Sequence, residues 1–139
     1  MTLQFAQAAF REAPPPDQIV AGPITFVAHC DHQGIPFFGR AYVGYIPSGD
    51  RVADTTLRRM VQRAARRGED ALERELARML GMWTRPLGIA VVMRTAHECA
   101  GPQLLADGGD REITFWRGRY RSDRSLRSAF LARCIRDMQ

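Results

Sequence analysis

Gly88-Ile89-Ala90-Val91-Val92-Met93-Arg94-Thr95 decides the fold of this 139-residue chain, because it is the clearest strand in the sequence. Working upstream from it, Leu72, Leu76, Met79 and Leu80 recur at helical spacing, and that helix ends near Gly81. An earlier helix carries Leu57, Met60, Val61 and Ala64; Asp54 or Thr55 caps it and Gly68 stops it. Two strands come first. One runs from Ile19 to Cys30 through Val20, Ile24, Thr25, Phe26 and Val27; the other runs from about Phe37 to Ile46 and closes at Pro47-Ser48-Gly49-Asp50. With a turn containing Gly34 between them, the pair reads as a long hairpin. Downstream, Glu112 to Tyr120 alternates as a strand does, and Ser122 or Asp123 caps a final helix bearing Leu126, Phe130, Leu131 and Cys134. Cys134 reads as core packing.

The order strand, strand, helix, helix, strand, strand, helix predicts an α+β domain: a four-stranded antiparallel sheet with two helices on one face (ββααββ) plus a C-terminal helix. Such a sheet leaves its other face and both edges in need of partners, so a homo-oligomer is expected. The domain spans residues 19–139. Residues 1–18 form an N-terminal arm, in which a short helix over 3–12 is ended by Pro14-Pro15-Pro16.

Composition narrows the function. The net charge of +5 comes from twenty arginines and no lysine, which excludes Schiff-base and lysine-general-base mechanisms. The arginines alternate with carboxylates along the helices, as in Arg66, Arg67, Glu69, Asp70, Glu73, Arg74, Glu75 and Arg78, so they read as solvated helix faces and not as a nucleic-acid stripe. No apolar run approaches the ~20 residues that cross a bilayer, and no signal-like N-terminus is present. The expectation is a cytoplasmic protein with no membrane or nucleic-acid partner. Three cysteines fit a reducing compartment better than a disulfide scaffold.

Two short segments carry the chemistry, Cys30-Asp31-His32-Gln33 and His97-Glu98-Cys99. They hold two of the three cysteines and every histidine except His29. Thiolate and imidazole are zinc's preferred donors, and clusters at the ends of two extended segments can converge. The four-ligand pattern of structural zinc is absent; three ligands and an open position describe a catalytic site. The other reading is a small buried cysteine and a histidine bonded to backbone.

At these residues the chain resembles the GTP cyclohydrolase I family, built on the tunnelling fold of pterin- and purine-binding enzymes. Cys30-Asp31-His32-Gln33-Gly34-Ile35-Pro36-Phe37-Phe38-Gly39 resembles the family's Cys-Glu-His-His-x-x-Pro-Phe-Phe-Gly. Ile46-Pro47-Ser48-Gly49 is similar to its Ile-Pro-Asn-Gly turn, Leu57-Arg58-Arg59-Met60-Val61 to its Leu-Ala-Arg-Ile-Val helix, and Gly88-Ile89-Ala90-Val91-Val92 to its Gly-Val-Ala-Val-Val strand. His97-Glu98-Cys99 falls at its His-x-Cys. The likeness runs colinearly over about residues 19 to 132.

The resemblance implies zinc thiolates at Cys30 and Cys99, with Gln33 at the third ligand position, where the family has histidine. It implies that His32 and His97 move protons on the ring. Glu73 would grip a guanine-like edge if one residue is inserted after Gly68, and Thr55 and Arg59 would meet the phosphate side. The implied enzyme hydrolyses or rearranges a purine- or pterin-like heterocycle at a cyclic amidine C–N bond, in a specialised biosynthetic pathway, with its sites between subunits. Two alternatives stand beside it: a metal-independent thiol or acid–base enzyme, and a non-catalytic pterin- or purine-binding subunit.

The departures shape these expectations. An amide is a poorer zinc donor than imidazole, so Gln33 predicts a more weakly held metal. His29 is an alternative ligand, although adjacent strand residues point to opposite faces. Thr55-Thr56 replaces a serine-lysine pair and Gln103 replaces an arginine, which predicts preference for a nucleobase, nucleoside or monophosphate over a triphosphate.

Overall fold

The computed structural model describes residues 17–29, 36–68, 71–96 and 110–138. Strands β1 (Ile19–His29) and β2 (Pro36–Ile46) are followed by helices α1 (Asp54–Ala65) and α2 (Leu72–Trp83). Strands β3 (Gly88–Ala96) and β4 (Asp110–Gly118), a single helical turn α3 (Arg119–Ser122) and helix α4 (Arg124–Met138) complete the order. The sheet is an antiparallel meander, β1-β2-β3-β4, so the expected architecture is present.

Alternation along the strands makes two cores. Ile24, Phe26, Val43, Tyr45, Val91 and Met93 point toward α1 and α2, which bury Leu57, Met60, Val61, Leu72, Leu76 and Leu80 against them. The opposite face carries Tyr42, Ile46, Ala90 and Val92 beneath Tyr120, Leu126, Phe130 and Cys134. The terminal helix therefore covers much of the face that was expected to be bare. What stays open there is the cross-strand pair Val27 and Phe38, the latter 70% exposed.

Four local readings are refined. At Gly22-Pro23, which the strand reading ran through unbroken, the β1 register shifts between Ala21 and Ile24. Proline has no N–H for a ladder and is tolerated because β1 is an edge strand. Neither Asp54 nor Thr55 caps α1: the cap position is Ala53 and makes no side-chain bond. The start of α1 is held instead by the Tyr45 hydroxyl, which accepts from the Val52 N–H at 2.9 Å and donates to the Val52 carbonyl at 3.3 Å. Asp54 sits in the first turn, favourable to the helix dipole. β4 stops at Gly118, two residues short of Tyr120, because Gly118 adopts φ +61° and a Cβ there would collide with the Leu87 carbonyl. The chain turns, Asp123 Oδ1 caps α4 by accepting from Leu126 N–H at 3.1 Å, and Tyr120 drops into the second core. Gln18, assigned to the arm, is tied to the domain by the Tyr120 hydroxyl, which donates to its Oε1 at 2.8 Å.

Gly44 is the seat of α4. A Cβ there would lie 2.7 Å from the Phe130 ring and 3.0 Å from the Tyr120 hydroxyl, so Gly44→Ala should destabilise by about 1–3 kcal/mol in urea unfolding. Gly81→Ala on α2 meets nothing within 4 Å among the described residues and should instead gain up to ~1 kcal/mol.

Burial pushes the Tyr120 phenol well above its usual range, while the charge of Arg133 pulls it down less. The unfolded chain therefore ionises this tyrosine first. Its contribution to stability is complete below about pH 10 and falls as pH rises above that value. Thermal melts between about pH 9 and 11 should show a slope that Tyr120→Phe reduces, with no lysine titrating in that window.

Candidate active site

The register places four strand termini at one end of the sheet. His29 pairs with Pro36, Gly39 with Thr95, and Ala96 with Asp110. Both chemistry-bearing segments therefore leave from that end, one after His29 and the other after Ala96. Their strands flank β2, so the points of departure are two strand spacings apart, about 10 Å. Cys30, His32, Gln33, His97 and Cys99 themselves lie outside the described residues, as does the side chain of His29. Thr95, one residue before the end of β3, is buried, and its hydroxyl has no hydrogen-bond partner among the described residues.

The helix layer holds the other candidates. Thr55 and Arg59 are exposed on α1 one turn apart, which puts them on one face. Glu73 is half-buried in the first turn of α2, and its Oε1 meets Arg117 Nη1 of β4 at 3.5 Å. The arginines that could rebuild a phosphate cradle are occupied by carboxylates: Arg58 by Asp54 at 2.8 Å, Arg94 by Glu112 at 3.2 Å, and Arg117 by Glu73. Arg59 makes no ion pair among the described residues.

Among the described residues no three His, Cys, Asp or Glu side chains gather as a metal site. Cys134 is fully buried in the second core, as expected, and is remote in role from the two cysteine segments. The donor chemistry of Cys30 and Cys99 fits zinc, whereas the neutral amide of Gln33 fits it less well.

The family model for GTP cyclohydrolase I matches residues 2–135. The chain belongs to the GTP cyclohydrolase I family. GTP cyclohydrolase 1 of Streptococcus pyogenes is 32% identical over 120 residues, covering 84% of this chain and 62% of that protein. The Saccharomyces cerevisiae enzyme is 30% identical over 100 residues, covering 70% of this chain and 41% of its own length. The chain thus spans about three-fifths or less of these relatives. Among solved structures, the archaeosine synthase QueF-Like superposes with a TM-score of 0.54 at 16% identity, over 76% of this chain and 96% of its own. Escherichia coli dihydroneopterin aldolase in complex with neopterin gives 0.53 at 11%, over 73% and 99%. At such identities these neighbours show the fold alone, and it is the tunnelling fold.

For this family member the structure brings Thr55 and Arg59 together on α1 and sets Glu73 apart, at the β4 edge. Sequence reasoning did not find the open groove between α1 and α2, lined by Thr56, Arg59, Arg63, Arg78, Met82 and Trp83 over a floor of Met60 and Met79. The i, i+4 pair Arg59 and Arg63, together with a tryptophan closing the next helix, was the available signal.

Proposed function

We propose that the chain is a GTP cyclohydrolase I-type enzyme that hydrolyses a cyclic amidine C–N bond of a purine- or pterin-like heterocycle, in a ring-shaped homo-oligomer with its sites between subunits. The observation that carries this reading is the departure of the Cys30–Gln33 and His97–Cys99 segments from one end of the sheet. Glu73 would orient the ring, its carboxylate accepting from an amino group and the adjacent ring N–H. Water adds to the electron-poor carbon between two ring nitrogens, His32 or His97 delivers a proton to one of them, and that C–N bond breaks. Cys30, Cys99 and Gln33 would hold the zinc ion, which when bound supplies the Lewis acidity that activates water near neutral pH.

Placement of the groups supports a shared site. Arg117, the partner of Glu73, lies seven positions along β4 from Asp110, about 23 Å of strand from the end where the Cys and His segments depart. Because β4 is an edge strand, a neighbouring chain pairing there would stand beside the Arg117–Glu73 pair, which places that pair at a subunit boundary. The edges of β1 and β4, unpaired among the described residues, would supply the means of ring closure.

Cys30→Ala and Cys99→Ala should each abolish turnover and sharply lower zinc content in untagged protein, while Cys134→Ala should keep turnover and lose only stability. The assay is a panel of purines, nucleosides, nucleotides and pterins, with mass detection of water or formate gained or lost. Equal loss in all three variants would point to folding. Activity without zinc would move the reading to thiol or acid–base chemistry.

Substrate charge gives a second test. With Arg58, Arg94 and Arg117 held by carboxylates and Arg59 unpaired among the described residues, guanine, guanosine or GMP should be turned over with higher kcat/KM than GTP. A clear advantage for GTP would overturn this preference and leave the enzyme class intact.

A further inference from the structure

We propose that Arg63 is a specificity-determining residue of the site: together with Arg59 it seats a single phosphate group, so the favoured substrate class is a nucleoside monophosphate over the unphosphorylated nucleoside. This inference rests on the proposed heterocycle-hydrolase activity and adds a residue to it. Arg63 lies beyond the matched helix segment, residues 57–61, so the resemblance assigns it no role. Thr56, Arg59 and Arg63 stand at i, i+3 and i+7 on α1 and share one wall of the cleft of about 360 Å³ between α1 and α2. Thr56 adds a hydroxyl to that wall but no charge. Neither arginine makes an ion pair among the described residues. Across the cleft Arg78 is held by Glu75 at 3.1 Å, and the rest of that wall is Met79, Met82 and Trp83. Among the lining residues, the positive charge open to an anion therefore sits on α1.

Spacing and charge set the group that fits. One helical turn separates Arg59 from Arg63, about 5–6 Å between Cβ atoms, so two long guanidinium side chains can close on the oxygens of one phosphate. A phosphomonoester carries about −1.5 to −2 at pH 7, which these two cations balance. A triphosphate brings more charge than they neutralise, and Arg58, Arg94 and Arg117 are committed to carboxylates. The seat also connects to the chemistry-bearing end of the sheet. Arg59 and Arg63 line an adjoining cleft of about 150 Å³ with Gln62 and Arg66. Gln62 and Arg66 in turn line one of about 440 Å³ with Thr25, Phe26, Val27 and Phe38. Val27 pairs with Phe38 two register positions from His29–Pro36, close to where the Cys30–Gln33 segment leaves the sheet. An anion at Arg63 is thus joined to that end by a run of clefts whose positive lining Arg66 continues.

The test compares GMP with guanosine on the full chain, by steady-state kinetics and by equilibrium dialysis, with folding of each variant checked by circular dichroism. The unaltered chain should turn over GMP with a kcat/KM at least about tenfold above that for guanosine. Arg63→Gln should raise both KM and Kd for GMP about tenfold at unchanged kcat, because a phosphate remote from the reacting carbon is held equally in ground and transition states. Guanosine should be unaffected. Arg63→Lys should recover part of the loss, since it keeps the charge but not the fork. Arg67→Gln, which removes the same charge just past the end of α1 and outside these clefts, should change nothing. Equal kcat/KM for GMP and guanosine, an equal loss of both with Arg63→Gln, or the same effect from Arg67→Gln would overturn the proposal. If neither compound is turned over, the enzyme reading fails on its own and dialysis still decides the seat. Tighter binding of GMP than of guanosine that Arg63→Gln abolishes upholds it; equal binding sinks it.

Discussion

The pairing of β2 with β1 on one side and β3 on the other is the constraint on which the rest of the molecule depends. It sets which residues face which core, because a slip of one position would turn every side chain to the other face. The same register, Gly39 opposite Thr95 and Pro36 opposite His29, sends both chemistry-bearing segments out of one end of the sheet. Core packing and the points where the two segments leave the sheet are therefore fixed by one set of backbone hydrogen bonds. A register error would lose both.

The two faces are covered in different ways. Against α1 and α2 the sheet presents branched and aromatic side chains that interdigitate with leucines from both helices. On the opposite face Gly44 clears the floor so that Phe130 can lie directly on backbone, and Trp116, Tyr120 and Phe130 pack edge to face or stacked with centroids 6.0–6.4 Å apart. Arg127 stitches this corner together, its Nη1 donating to the carbonyls of Tyr120 and Arg121 at 2.8 Å each while its guanidinium lies 6.0 Å from the Trp116 ring centroid. The second core is thus held by a few large contacts, and a single added methyl at Gly44 reaches two of them.

Element order and type were legible because the apolar periods are strong: Leu72, Leu76, Met79 and Leu80 read as a helix and are buried as one. The misreadings fall where a long-range contact overrides local chemistry. Asp54 and Thr55 suggest a polar cap for α1, but Tyr45, seven residues before Val52, sets its start; Glu112 to Tyr120 alternates as one strand, but Gly118 breaks it because Leu87 stands in the way. The terminal helix was legible as a helix, yet not its place on the second face, since its apolar residues do not say which surface they seek. Of the site, the segments and Arg59 were legible from spacing and resemblance. The partner of Glu73 was not, because Arg117 is forty-four residues away and the contact exists only after folding.

Arginine in place of lysine gives this surface a particular economy. Each half-exposed pair on the helices and on β4 is worth only about 0–1 kcal/mol, too little to explain the fold. Their effect is orientation. A guanidinium committed to a carboxylate is a poor phosphate ligand, because capturing an anion would first require giving up the pair. Arg58 is doubly committed, since its Nη1 also donates to the Pro23 carbonyl at 3.2 Å on the open β1 edge. Gln62 donates to the Thr25 carbonyl on the same edge, so α1 shields part of the β1 edge and limits strand pairing there. Arg59 and Arg63, by contrast, make no ion pair among the described residues and line the groove with α2, so they can meet an anion without giving up a carboxylate.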